Sequence, residues 1–342
     1  MSQTFKAYAA PAKGEKLKPF EFDPGALREE QVEIAVEYCG LCHSDLSMYE
    51  NEWGMTAYPF VPGHEVVGKV VAIGDHVKTI SVGQRVGLGW FSGSCMSCHQ
   101  CLSGDHNLCT SPTGREETII NRYGGFADRV RCHWLWATPL PEALDYTKAG
   151  PLFCGGITVF NPILQSGVKP TDRVGVIGIG GLGHMALAFL NKWGCEVTAF
   201  TSSDSKREEA MKLGAHNVVN SRDKAQLKKI AGSLNFILTT VNATLDWQSY
   251  IDALAPKGKM VTVGVIGEPV QLAAFPLIAG QKSFSGSPLG SPSTTELMIN
   301  FCARHHIAPV TESFKFSEIN EAFEHLKAGK ARYRIVLTND IK

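Results

Sequence analysis

Val174-Gly175-Val176-Ile177-Gly178-Ile179-Gly180-Gly181-Leu182-Gly183 runs from a short apolar stretch directly into glycines spaced G-x-G-x-x-G, and an apolar segment of helical spacing follows (Met185, Ala186, Phe189, Leu190). Each glycine has a separate physical use. Gly178 permits the tight turn, Gly180 lets the backbone approach a pyrophosphate, and Gly183 lets the helix pack closely on the strand. The N–H groups and the dipole of the helix start then favour the phosphates. A bare glycine turn is the alternative, and the surroundings of the motif argue against it.

Working outward, apolar strand-like runs begin near Val174, Val197, Asn217, Phe236, Met260 and Ser283, with helix-like segments between them. A strand about every twenty residues, alternating with helices, reads as βαβ units and a parallel sheet covered on both faces. Six such strands make an α/β, doubly wound (Rossmann) domain. Before residue 150 the chain changes character. Residues 31–38 alternate strictly, with Val32, Ile34, Val36 and Tyr38 on one face and Glu33, Ala35 and Glu37 on the other, as in a half-buried strand. Residues 66–73 read as another strand, and many short Gly- and Pro-broken segments suggest an irregular β-rich barrel. After about residue 290, helix-like stretches at 294–305 and 317–327 precede a last strand at 333–337.

The 342 residues carry 33 Lys plus Arg and 33 Asp plus Glu, so the net charge is zero and the electrostatic footprint of a nucleic-acid binder is missing. No apolar stretch reaches the ~18 residues of a membrane helix, and the N-terminus lacks the apolar core of a signal peptide. A soluble cytoplasmic protein with a small-molecule substrate, and neither nucleic-acid nor membrane partners, is the expectation.

The second strand of the nucleotide domain ends in Thr201-Ser202-Ser203, followed by Asp204, Lys206 and Arg207. A carboxylate at that strand end would bond the ribose 2′-OH of NAD; hydroxyls and cations suit a 2′-phosphate instead. The pattern reads as NADP(H), the alternatives being that Asp204 reaches back to a 2′-OH or that Lys206 and Arg207 are only a solvated helix face.

Cys95-x2-Cys98-x2-Cys101-x7-Cys109 holds four thiols in one loop. Four thiolates close a tetrahedral zinc shell and leave no vacancy for substrate, so this site is structural. An iron–sulfur cluster is the competing reading, weakened because no Pro follows the fourth Cys and no second cysteine set exists. His99 and His106 read as exposed loop residues. Cys42, His64-Glu65 and Cys154 are dispersed, and taken singly each can be an ordinary buried residue.

Gly63-His64-Glu65-x2-Gly68-x5-Gly74-x2-Val77 resembles the zinc-containing alcohol dehydrogenase signature of the medium-chain dehydrogenase/reductase superfamily at every defined position. The four-cysteine lobe and the glycine turn follow in the family's order. Cys39-Gly-Leu-Cys42-His-Ser44-Asp45-Leu46, the stretch from Tyr58 to Glu65, Gly180-Gly-Leu-Gly-His184-Met185 and Ala331-Arg-Tyr-Arg-Ile-Val336 are similar to the cinnamyl-alcohol-dehydrogenase-like aldehyde reductases. The resemblance covers essentially the whole chain. It implies a GroES-like catalytic domain at 1–152, a Rossmann NADP-binding domain at 153–289, and a return segment at 290–342 completing the first.

By the same resemblance, Cys42, His64 and Cys154 are catalytic zinc ligands, Glu65 coordinates transiently, and Asp45 orients the histidine. Cys95, Cys98, Cys101 and Cys109 hold a second, structural zinc. Gly178, Gly180, Gly181, Leu182 and Gly183 bind the pyrophosphate. Ser202, Ser203 and Lys206 meet the 2′-phosphate, while Thr158 and the 263–266 stretch, Val265 within it, lie near the nicotinamide. Trp53, Met55, Trp90 and Phe91 fall where the family lines its substrate pocket. Ser44 corresponds to the hydroxyl that bonds the substrate oxygen. Many relatives carry a proton-relaying histidine five residues after the first cysteine ligand, and here that residue is Ser47. The implied activity is zinc-dependent hydride transfer between NADP(H) and an aldehyde or primary alcohol, with broad aldehyde reduction favoured, in a homodimer. An NAD-linked polyol dehydrogenase and a non-catalytic zinc or nucleotide binder are the competing readings.

Overall fold

The computed structural model describes residues 4–342, which form two compact units: residues 4–154 with Gly290–Lys342, and Gly155–Leu289.

The first unit is built on a seven-stranded sheet. Its path runs Thr311–Lys315, Arg334–Thr338, Gln31–Leu41, Val66–Ile73, Arg85–Leu88 and Thr138–Pro139, with Arg129–His133 also pairing to Gln31–Leu41. The strand Gln31–Leu41 is central, and its surroundings overturn the simple alternation. Glu33 is buried instead of facing water. Arg131 stands opposite it in the register, and Arg129 and Arg131 both bond its carboxylate, at 2.7 and 2.9 Å. A charge inside this sheet is tolerated because two guanidiniums on the neighbouring strand replace the lost water.

Register also gathers the ends of three strands. Cys39 pairs with Val66, so the residues just after Gln31–Leu41 lie beside those just before Val66–Ile73. Ile335 pairs with Leu41, which brings the start of the last strand to the same place. Gly40 N donates to Glu65 O at 2.9 Å across this corner. A Cβ on Gly40 would sit 1.9 Å from Glu65 Oε2, so a side chain there has no room.

The second unit is a parallel six-stranded sheet. Its strands lie in the order Asn217–Asn220, Glu196–Thr201, Arg173–Ile177, Leu234–Thr239, Leu254–Thr262, Ser283–Gly286. The order reverses beside Arg173–Ile177, at whose carboxyl end a doubly wound sheet takes its ligand. The glycine turn stands there, and the helix Gly183–Trp193 follows it.

Candidate active site

Cys42, His64, Glu65 and Cys154 present four ligand atoms lying within 4.8 Å of one another, all buried and all in the first unit. Cys42 lies between the end of the central strand and the helix His43–Tyr49; His64 and Glu65 directly precede Val66–Ile73. Cys154 follows a short 3-10 turn, Gly150–Phe153. Gly63 sits at φ +102°, and a Cβ there would meet Phe126 N at 2.6 Å, so the turn that aims His64 requires glycine.

The donor set suits zinc. Cys42 Sγ and Cys154 Sγ are 3.8 Å apart. A Zn–S bond of about 2.3 Å at the tetrahedral angle places two sulfurs about 3.8 Å apart. His64 Nε2 is buried with no hydrogen-bond partner, as is Glu65 Oε2. An unpaired buried nitrogen between two thiols is costly for a protein group and natural for a metal ligand.

Asp45 holds this arrangement from behind. It is fully buried, and three donors converge on its carboxylate: Cys42 N on Oδ2 at 2.9 Å, and Gly63 N and His64 Nδ1 on Oδ1 at 2.8 and 3.0 Å. The bond to Nδ1 leaves Nε2 to face the thiols. Burial alone would lower the His64 pKa, but the Asp45 carboxylate outweighs it and the net shift is upward. Cys42 is pushed toward thiolate by the hydrogen bond from Cys154, whose own thiol is pushed the other way.

Arg334, the first residue of the last strand, has no assigned role in the sequence reading and belongs to this site. Its Nη2 donates to Glu65 Oε1, and both side chains are buried. Burial drives the Glu65 carboxyl up to about 8 even though the Arg334 guanidinium pulls against it. A signal was available: a lone arginine opening an otherwise apolar strand needs an acid to bury against.

Ser44 is half-buried on the first turn of the helix after Cys42. Ser47 is buried, and its Oγ donates to Glu52 Oε2 at 2.6 Å. The Trp90 ring stands edge-on to His64, with centroids 5.0 Å apart, and Trp53 packs edge-on to Trp90. Met55 is exposed. Phe91 turns into the core against Trp136.

Cys95, Cys98, Cys101 and Cys109 likewise converge, with Cys95–Cys101 and Cys98–Cys109 sulfur distances of 3.8 and 4.0 Å. Backbone N–H groups of Cys101 and Thr110 hold the Cys98 thiol down at about 5, whereas burial pushes Cys101 up to about 12. His99 is exposed; His106 is half-buried and bonded to Ser94 Oγ.

In the second unit the glycine turn suits a pyrophosphate. Gly178 sits at φ +87°, a Cβ on Gly183 would lie 1.8 Å from Gly178 O, and a Cβ on Gly180 would meet nothing within 4 Å. The backbone at Gly180 is therefore open to a ligand. Gly181 is half-buried, and Leu182 precedes the helix Gly183–Trp193. Ser202, Lys206 and Val265 are exposed, Ser203 Oγ lies 2.8 Å from Ser205 Oγ, and Thr158 is half-buried on the helix Gly155–Gln165. Arg207 departs from the expected pair of phosphate-facing cations. Its guanidinium donates to Val218 O, in the middle of the neighbouring strand.

Residues 28–142 match the model of the alcohol dehydrogenase GroES-like domain, and residues 181–304 match that of the zinc-binding dehydrogenase. Aldehyde reductase AdhA of Synechocystis sp. is 55% identical over 334 residues, covering 98% of each chain. The chain belongs to the zinc-type alcohol dehydrogenase family. It is an oxidoreductase of the alcohol dehydrogenase and aldehyde reductase kind. Among solved structures, a cinnamyl alcohol dehydrogenase (SbCAD4) from Sorghum bicolor matches with a TM-score of 0.91 and 36% identity, over 98% of both chains. A cinnamyl alcohol dehydrogenase (CAD) from Helicobacter pylori complexed with NADP(H) matches at 0.88 and 29%, over 99% of both. Within this family fold, a GroES-like β-rich unit and a Rossmann unit are the two parts expected from the sequence. Among the described residues no helix is long and apolar enough to cross a membrane.

Proposed function

We propose that this member of the family is an NADPH-dependent aldehyde reductase with two zinc ions per chain, one at Cys42, His64 and Cys154 and one at the four-cysteine lobe. The observation that carries the reading is the buried, unpartnered His64 Nε2 beside two thiols at zinc-fitting separation. When bound, the first zinc supplies Lewis acidity to a carbonyl oxygen and the reduced nicotinamide supplies the hydride.

The chain's own residues do the rest. Asp45 orients His64, and Arg334 holds the Glu65 carboxylate by its Oε1. Trp90 and Trp53 supply an apolar wall next to His64, which suits aromatic or other apolar aldehydes over polyols. Ser44 holds the proton for the substrate oxygen. Ser47 is committed to Glu52, so proton exchange runs through Ser44 and water without a histidine at that position. At the nucleotide, Ser202 and Lys206 are exposed at the end of Glu196–Thr201. Asp204 spends its carboxylate on Asn220 Nδ2, at 3.4 Å, which favours a 2′-phosphate over a 2′-OH.

A homodimer is supported by exposed Phe275 and Ile278 close in sequence to the edge strand Ser283–Gly286. Ten free cysteines suit the reducing cytoplasm. The test is zinc content per chain together with initial rates for graded aldehydes with NADPH and NADH, and for a polyol with NAD⁺. Two zincs and NADPH-linked reduction of apolar aldehydes support the reading. Faster polyol oxidation with NAD⁺ replaces it with the rival.

A further inference from the structure

The loss of Arg207 to Val218 leaves one cation, Lys206, on the loop after the strand Glu196–Thr201. A doubly charged 2′-phosphate is recognised better by a guanidinium as well, because its planar fork gives paired bonds to phosphate oxygens. The neighbouring loop supplies one. Thr201 and Asn220 are register partners in adjacent parallel strands, ~4.8 Å apart as such strands are. Ser221 then bonds the last residue of the first strand twice, its N and its Oγ donating to Thr201 O at 2.8 and 2.9 Å. Arg222 is the next residue, at the same carboxyl-end edge of the sheet as the loop that begins with Ser202 and Ser203.

Arg222 is also unspent. It is exposed, its backbone N donates to Asn220 Oδ1 at 3.0 Å, and its guanidinium has no partner among the described residues. The two nearby acids are engaged elsewhere. Asp223 caps the helix Lys224–Lys229 through Ala225 N and Gln226 N, and Asp204 faces Asn220. A guanidinium left without a partner at the carboxyl edge, beside a loop of hydroxyls and Lys206 and with the Asp204 and Asp223 carboxylates already hydrogen-bonded, is available to an anion.

We propose that Arg222 is a specificity-determining residue that binds the 2′-phosphate of the cofactor together with Ser202 and Lys206, an assignment that rests on the NADP reading above. The site is thereby shared by two loops, after the second and third strands of the sheet in chain order.

The experiment is calorimetric binding of 2′,5′-ADP and of 5′-AMP, which differ only in the 2′-phosphate, to the zinc-replete protein and to Arg222→Ala and Arg222→Lys. Because the side chain is exposed and its guanidinium holds no partner among the described residues, both variants fold. Arg222→Ala weakens 2′,5′-ADP about tenfold, in line with one lost charge-assisted contact, and leaves 5′-AMP within twofold. Arg222→Lys falls between, keeping the charge and losing the fork. If the unaltered protein prefers 2′,5′-ADP and Arg222→Ala keeps that preference in full, the Arg222 assignment is overturned and the NADP reading survives. If the unaltered protein binds both nucleotides equally, both fall.

Discussion

Replacing Asp45 by Asn removes a charge and turns one of two acceptor oxygens into a donor while changing almost no volume, which makes it a clean probe of the Cys42, His64 and Cys154 cluster. The carboxylate takes three donors on two oxygens. An amide has one oxygen and must turn its NH2 toward either Cys42 N or the pair Gly63 N and His64 Nδ1. In the first orientation the Cys42 N–H faces another donor. In the second, Gly63 N–H is stranded, and the amide forces His64 to accept at Nδ1, which puts the proton on Nε2 where the metal must bind. Either way a buried backbone N–H loses a charge-assisted bond, worth ~1.5–3 kcal/mol, and remains desolvated at a further cost of ~1–3 kcal/mol. Asp45→Asn therefore lowers stability by about 3–5 kcal/mol and weakens zinc at the Cys42 site about 10–100-fold. Urea unfolding of the metal-free protein measures the first; chelator competition measures the second, with the four-cysteine lobe as an internal control whose affinity stays put. Unchanged stability together with unchanged zinc affinity would refute the account of three convergent donors.

Arg334→Met takes the guanidinium from the buried Glu65 carboxyl, which already stands at about 8 with it and is protonated without it, and destabilises the protein by about 3 kcal/mol or more, while adding Glu65→Gln costs little further because the amide replaces a group that is already neutral; a double-mutant cycle in urea reads the coupling, and additive effects would show that the pair does not interact. Gly183→Ala drives a Cβ to 1.8 Å from Gly178 O and abolishes 2′,5′-ADP binding in calorimetry while the catalytic unit keeps its zinc. The lobe responds to acid in a set direction: Cys98 has its folded-state pKa depressed to about 5 from an ordinary 9.0, so its contribution is complete above 9.0 and is lost as the pH falls through about 5. In the metal-free protein, alkylation of Cys98 should accordingly stay fast at pH 7 and fall off as the pH drops through about 5; loss of reactivity already complete at pH 6.5 would contradict the Cys98 assignment.

Features written in consecutive residues were legible without coordinates. The glycine turn and the four-cysteine lobe are chemistry at fixed spacing, because a tight turn or a closed thiolate shell needs its residues within one short loop. The six parallel strands announced themselves through apolar runs at regular intervals, since a sheet covered on both faces leaves each strand little freedom to be polar. Glu33 escaped that logic, as the alternation of its strand assigns it to water and only the strand bearing Arg129 and Arg131 reveals its burial. Arg207 escaped it too, because its guanidinium's diversion to Val218 depends on how neighbouring parallel strands align.

What the chain's order of residues determined by itself was the kind of each part: a glycine turn between strand and helix, a four-cysteine loop, a β-rich half and a parallel half. What only the tertiary structure decided was which distant side chains meet. Cys42, His64, Cys154 and Arg334 converge because antiparallel register brings the end of one strand and the starts of two others to a single corner, with Cys154 led there by a short turn. Side-chain spacing along a strand is local geometry, whereas register is a property of the whole sheet, set by every pair that must bury its apolar face at once.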